Sequence, residues 1–248
     1  MTANALSRAY GTGNPALTYS SSDLLNGDSL AGALATAAAV TSGVGSYAIT
    51  QGSLANANYA ISYTGASLSV TTAALTVTAN ALSRAYGAAN PALSYAATGL
   101  VNGDSISGAL TTTAVANSGV GSYAITQGTL AASANYALSY TSASLTVTTA
   151  ALTVTANALS RSYGAGNPAL TYSTTGLVNG DTLTGAPATA ATITSGVGSY
   201  AITQGTLAAS SNYALSYTGA NLSVTPAALT VTANALSRTY GAANPTLT

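Results

Sequence analysis

Histidine, lysine, glutamate, cysteine, tryptophan and phenylalanine are all absent from this 248-residue chain. Each absence removes a class of function. Without His, Lys, Glu or Cys, general acid–base, Schiff-base and thiol catalysis lose their usual side chains. Transition-metal sites lose their imidazole and thiolate ligands, and no disulfide can form. Charge is nearly missing as well: four Arg and four Asp give a net charge of zero. So few basic residues leave no electrostatic footprint for nucleic acid or an anionic membrane. No apolar run approaches the roughly 18–20 residues of a membrane-spanning helix, so membrane insertion is not expected. Nor does the N-terminus carry a basic region followed by an apolar stretch, the pattern of a signal peptide. The expectation is a protein that is not an enzyme and has no cofactor, with no catalytic or metal-binding residues.

What fills the chain is Ala, Thr, Ser, Gly, Leu, Val and 16 Tyr. Hydrophobic residues make up 48% and mean hydropathy is +0.36, which is too apolar for disorder. The block Leu-Ser-Arg-x-Tyr-Gly-x-x-Asn-Pro occurs four times, with its tyrosine at Tyr10, Tyr86, Tyr163 and Tyr240. The spacings of 76, 77 and 77 residues define modules 1–73, 74–150 and 151–227, then the start of a fourth at 228–248. Repeats of about 20–45 residues stack as solenoids, whereas a unit of this length can own a small core. The opening strand of the first module is truncated, and Thr248 stops just past the opening block of the fourth. The sequence therefore reads as a piece of a longer array. Its tail, 228–248, either frays or supplies the missing strand to another copy, a head-to-tail association.

Within a module the pattern is strand. Leu75, Val77 and Ala79 alternate with Thr76, Thr78 and Asn80, the period of a half-buried strand. Tyr123 and Ile125 share a face, as do Tyr136, Leu138 and Tyr140, and then Leu145 and Val147. Between them stand Asn-Gly and Gly-rich turn signals, including Asn102-Gly103-Asp104, which supply positive φ. The only helical candidate is a turn or two in the Ala-rich stretch 33–39. Six or seven short strands per module predict an all-β fold, a tandem array of small immunoglobulin-like antiparallel β-sandwiches. A β-grasp variant is the alternative. Only Thr149, Ala150 and Ala151 separate one Leu-Thr-Val-Thr strand from the next, so no flexible linker joins the modules. The expected array is elongated and semi-rigid, with modules about 30–40 Å long.

Two sets of residues are candidates for a site. Arg8 and Asp28, Arg84 and Asp104, and Arg161 and Asp181 each lie 20 residues apart. They read as Arg–Asp pairs, or as turn-capping aspartates, holding neighbouring segments together rather than as ligand contacts. Calcium is disfavoured because it needs six to eight oxygens, and only the first module adds a second carboxylate, Asp23. The tyrosines, five per module, are the only large residues available to a core. Tyr123, two residues after Gly121, has the placing of a tyrosine corner. Tyr86, Tyr140, Tyr163 and Tyr217 are the candidates for exposed contact residues, where an aromatic surface would stack on sugars.

The succession LTVTANALSRAYGAANPALSY, GLVNGD, VGSYAITQG, NYALSY and SLTVT resembles the MBG domain of the YGX type. Tyr86-Gly87 with Asn90-Pro91, and Gly121-Ser122-Tyr123, carry the likeness, which covers nearly the whole chain. The resemblance implies a stalk or spacer module of a bacterial surface or secreted protein, as in filamentous-haemagglutinin-like adhesins. Its location is then extracellular or at the cell surface. Partners would be neighbouring repeats of the same chain, with weak multivalent binding to host or bacterial surface glycans or proteins. The rival readings are a carbohydrate- or protein-binding domain in each module, and a biofilm-matrix fibre built from low-charge, β-prone repeats.

Overall fold

The computed structural model describes residues 1–22 and 24–247. Among the described residues there are twenty strands, and the only helical segment is a 3-10 turn at Leu25–Gly27. No helix among those residues is long and apolar enough to cross a membrane. The Ala-rich stretch 33–39 carries a two-residue strand instead of the expected helical turn. Helix propensity alone does not hold so short a segment, since nucleating an isolated helical turn is costly. The chain forms two compact units, Met1–Thr148 and Thr149–Thr248. The first contains repeats 1 and 2, and the second contains repeat 3 with the segment after it.

Repeat 1 consists of β1 (Thr2–Ala3), β2 (Leu6–Ala9), β3 (Tyr19–Ser20), β4 (Ala35–Thr36), β5 (Gly45–Thr50) and β6 (Ala66–Thr71). Repeat 2 consists of β7 (Ala73–Ala79), β8 (Leu82–Ala85), β9 (Tyr95–Thr98), β10 (Thr111–Thr112), β11 (Gly121–Thr126), β12 (Tyr136–Thr141) and β13 (Ala143–Thr148). In repeat 2 these strands make two sheets, ordered β12-β7-β9 and β10-β11-β13-β8. Repeat 3 follows the same plan with β14 (Ala150–Ala156), β15 (Leu159–Ser162), β16 (Tyr172–Thr175), β17 (Ala188–Thr189), β18 (Gly198–Thr203), β19 (Tyr213–Thr218) and β20 (Ala220–Thr225).

The burial of β7 follows its sequence: Ala73, Leu75, Val77 and Ala79 are buried, while Ala74, Thr76 and Thr78 face solvent. The expected antiparallel sheets, however, are mixed. β12 runs parallel to β7, with Leu138 opposite Leu75, and β13 runs parallel to β8, with Leu145 opposite Leu82. The reason is physical. Period-2 alternation fixes which face of a strand is buried, but it reads the same in both directions. Asn80 and Ala81 let the chain leave one sheet at β7 and join the other at β8. Ala79 and Tyr140 then meet Ile125 and Leu145 in a core between the two sheets. After β20 no further strand forms among the described residues, and residues 226–247 are exposed throughout.

Candidate functional site

The residues singled out by sequence fall into two arrangements, an arginine clip inside each repeat and a tyrosine–aspartate joint between repeats 1 and 2. The clip comes first in the chain. Arg84 lies on β8 at an inward position and is 7% exposed. A guanidinium there needs acceptors for its fixed fork of N–H groups. Its Nε donates to Asn90 Oδ1 at 2.7 Å, one terminal nitrogen donates to the Ala85 carbonyl at 3.1 Å, and the other donates to the Val115 carbonyl. Asn90 Nδ2 in turn donates to the Ala114 carbonyl at 2.6 Å. Arg8 with Asn14, and Arg161 with Asn167, repeat this arrangement on their own backbone carbonyls.

The expected Arg–Asp pairs are thus replaced by Arg–Asn–carbonyl clips, and the aspartates serve elsewhere. A buried cation can be satisfied by carbonyl dipoles when every donor is used. That leaves the carboxylates free for other partners.

The joint starts from a turn. Asn102 and Gly103 have φ of 55° and 77°, and the Asp104 amide donates to the Val101 carbonyl at 3.0 Å. Two successive positive φ values are the signature of a type I′ turn. The backbone amide of Asp104, not its carboxylate, closes this turn. Its carboxylate Oδ2 accepts hydrogen bonds from the Tyr136 hydroxyl at 2.8 Å and from the Tyr10 hydroxyl at 3.0 Å. Tyr136 opens β12, and its oxygen also accepts from the Val101 amide at 3.1 Å. Tyr10 belongs to repeat 1. It sits where the chain leaves that repeat, because its amide donates to the carbonyl of Thr71, the last residue of β6.

The two rings meet edge to face, with centroids 5.5 Å apart and planes at 84°, a favourable aromatic geometry. A second link lies beside them, where the Val44 amide donates to Asn135 Oδ1 at 2.9 Å. Apolar packing closes the joint: Tyr10 and Val70 of repeat 1 share one core with Leu75, Val77, Leu130 and Tyr136 of repeat 2. Thr72 alone separates β6 from β7, which matches the expectation that no linker joins the repeats.

Gly11 gives the joint a steric test. Its φ is +77°, and a Cβ added there would overlap the Val101 side chain. Gly164, the matching residue of repeat 3, has φ of +81° and nothing within 4 Å of the same point. Both Gly→Ala changes incur the left-handed strain of about 1–2 kcal/mol. Only Gly11→Ala must also displace Val101. Thermal unfolding should therefore show a clearly larger loss for Gly11→Ala than for Gly164→Ala; equal losses would mean that Val101 does not pack tightly.

The tyrosines divide differently from the expected exposed set. Tyr86 is buried, at 7% exposure. Tyr140 and Tyr217 are half-buried and donate to the carbonyls of Ile125 and Ile202 at 2.8 Å and 3.4 Å. Inward-facing alternate positions on β12 and β19 explain this, since Tyr is the only large filler the chain has. Only Tyr163 is exposed, at 51%. Tyr123 has a corner bond: its hydroxyl donates to the Gly119 carbonyl at 2.9 Å, four residues upstream, and Tyr47 and Tyr200 do the same. Asp23, the extra carboxylate considered for calcium, lies outside the described residues.

Burial raises the Tyr136 hydroxyl above its ordinary pKa near 10; the Val101 amide opposes the shift, and the Asp104 carboxylate adds to it. Burial also raises Tyr140 and Tyr217. These groups stay protonated in the folded state at a pH where the unfolded chain ionises. Their contribution is therefore fully present below about pH 10 and is lost as pH climbs through the raised values. Urea midpoints should be flat from pH 7 to about 9.5 and fall above 10; a midpoint that rises above pH 10 would contradict this burial.

Sequence reasoning did not pair Tyr10, Tyr136, Asn135 and Asn90 with their partners. One signal was present for Asn90, because Arg and Asn recur six residues apart in every copy of the opening block. Nothing in the sequence marks Tyr10 and Asp104, 94 residues apart, as partners.

Comparison with protein families matches the MBG domain (YGX type) at residues 1–69, 75–146 and 152–223. No curated protein and no solved structure matches the chain.

Proposed function

The chain belongs to the YGX-type MBG domain family, and from that premise we propose that it is a non-catalytic repeat segment of a bacterial surface or secreted adhesin. In this reading the repeats act as a spacer that carries other parts of the protein away from the cell. The observation that supports it is the joint between repeats 1 and 2. A one-residue connection, a shared apolar core and two polar links remove most of the freedom that a flexible linker would give. A spacer needs such joints, whereas independent binding modules do not. The sparse charge suits exposure to varying salt, because there is little surface electrostatics to screen. Any glycan or protein binding by single modules would be weak and would gain from repetition.

An antibody raised against 1–248 should label intact, unpermeabilised cells that produce the protein. Label seen only after lysis would sink the surface reading. A glycan array probed with monomeric 1–248 should show no tight binding; tight binding would favour ligand-binding modules over a spacer.

A further inference from the structure

Repeat 2 has another repeat on each side of it in the chain, yet one of its strands is open along its length. β9 is the outer strand of the sheet β12-β7-β9, and all its residues, Tyr95 to Thr98, are exposed. Among the described residues no strand pairs with its far side. The near side shows which groups the far side offers. The Asn80 amide donates to the Ser94 carbonyl at 2.9 Å, and the same register sets Thr78 opposite Ala96 and Thr76 opposite Thr98. Along an antiparallel strand, the residues that bond to a given neighbour alternate with those that do not. Ser94, Ala96 and Thr98 therefore face β7, while the backbone N–H and C=O groups of Tyr95 and Ala97 point away from the sheet.

β16 repeats the arrangement in unit 2. The Asn157 amide donates to the Thr171 carbonyl at 2.9 Å, so Ser173 and Thr175 face β14 and the backbone groups of Tyr172 and Thr174 point outward. Both strands lie well inside repeats 2 and 3, so their exposure follows from the sheet order. Edge strands are usually blunted by a lysine, a proline or an inward-pointing charge. The chain has no Lys, and neither β9 nor β16 contains a proline or a charged residue.

We infer that β9 is a strand-addition edge whose partner is β9 of a second copy of this chain, antiparallel to it about a two-fold axis at Ala96. The occupant is fixed by self-complementarity, as a two-fold contact requires. In that register Tyr95 of each copy lies opposite Ala97 of the other, so every outward N–H meets an outward C=O. Ala96 faces its own counterpart, a pair of methyl groups, and each Tyr95 ring, 36% exposed, is set against the small Ala97 of the other copy. No charged side chain on the strand opposes the approach. So short an edge covers far less than the roughly 1,200 Å² of a stable interface. A single pairing is therefore weak, and the second edge at β16 adds to it by repetition. The inference goes beyond the spacer reading and does not rest on it.

Because the chain has no cysteine, a single introduced thiol reports the pairing. Opposite residues of a non-hydrogen-bonded antiparallel pair have Cα atoms about 4.5 Å apart, within disulfide reach. Under mild oxidation, Ala96→Cys in 1–248 should form linked dimers about tenfold faster, or more, than Thr78→Cys, which is exposed on the same face one strand inward. Adding Ala97→Pro to Ala96→Cys should bring the rate down to that of Thr78→Cys, because it removes an outward N–H and leaves the bonds to β7 in place. Charge gives a second test that spares the backbone. In sedimentation equilibrium from micromolar to millimolar concentration the unaltered chain should gain mass. Ala96→Lys with Ser173→Lys, and Ala96→Glu with Ser173→Glu, should each stay monomeric, and their equal mixture should associate again, because opposite charges then face each other. Equal cross-linking of Ala96→Cys and Thr78→Cys would overturn the inference, as would a rate untouched by Ala97→Pro. So would an unaltered chain that is monomeric at every concentration, like-charged variants that associate as it does, or a mixture that associates no more than its components.

Discussion

Arg84→Ala is expected to destabilise unit 1 by about 3–4 kcal/mol. The guanidinium donates to three acceptors, and its removal leaves the Val115 carbonyl and the Asn90 side chain without the donors they hold. It also opens a space beside β8, because the Arg84 stem is buried. The clip ties three segments together: the strand, the Asn-Pro loop and the stretch at 114–115. Loss should appear as fast hydrogen exchange across all three. Arg84→Lys should recover little, since one ammonium cannot span acceptors set at the angles of a planar fork. Urea denaturation with exchange measured by mass spectrometry checks both points. Recovery by lysine to within about 1 kcal/mol would show that charge, rather than fork geometry, is what β8 requires.

Asp104→Ala should cost about 2–3 kcal/mol. Tyr10 loses its carboxylate acceptor while its ring stays 95% covered by repeats 1 and 2. Tyr136 is less affected, because it retains the Val101 amide and can turn its proton to the Val101 carbonyl at 3.2 Å. The loss therefore falls on the tyrosine that comes from the neighbouring repeat. Exchange should rise at Leu75 and Val77, whose core includes Tyr10 and Val70, and should change least at Ile125 and Leu145, which pack in the other core of repeat 2. Asp104→Asn should be milder, since its amide oxygen still accepts a hydrogen bond, though without the charge that strengthens it.

Much of the strand content was legible from sequence, for a definite reason. With Thr and Ser at alternate positions and Leu, Val or Ala between them, β7, β13 and β14 announce which side faces the core. The Asn-Gly turns announce themselves too, because few residues accept two positive φ values in succession. Strand direction was not legible. Leu-Thr-Val-Thr reads alike whether its neighbour is parallel or antiparallel, and the parallel pairs β7–β12 and β8–β13 depend on contacts more than 60 residues apart.

The charged residues misled for a related reason. An arginine and an aspartate at a fixed spacing suggest an ion pair, but the acceptors that hold Arg84 are mostly backbone carbonyls, which every residue has and no sequence displays. The tyrosines show the same limit. Tyr10, Tyr86 and Tyr163 occupy identical places in the repeated block, yet Tyr10 and Tyr86 are buried and Tyr163 is not. Local sequence cannot distinguish them, because their burial depends on what packs over the block rather than on the block itself.

The measurement that tests the central claim most directly is a double-mutant cycle on Tyr10 and Asp104 in the intact chain. If their hydrogen bond joins repeats 1 and 2, Tyr10→Phe should cost about 1–2 kcal/mol in the natural background. In the Asp104→Ala background the same change should cost nothing, or even stabilise, because the hydroxyl it removes no longer has its charged acceptor. Equal costs in the two backgrounds would contradict the account, and would mean that the Tyr10–Asp104 hydrogen bond does not help hold the repeats together.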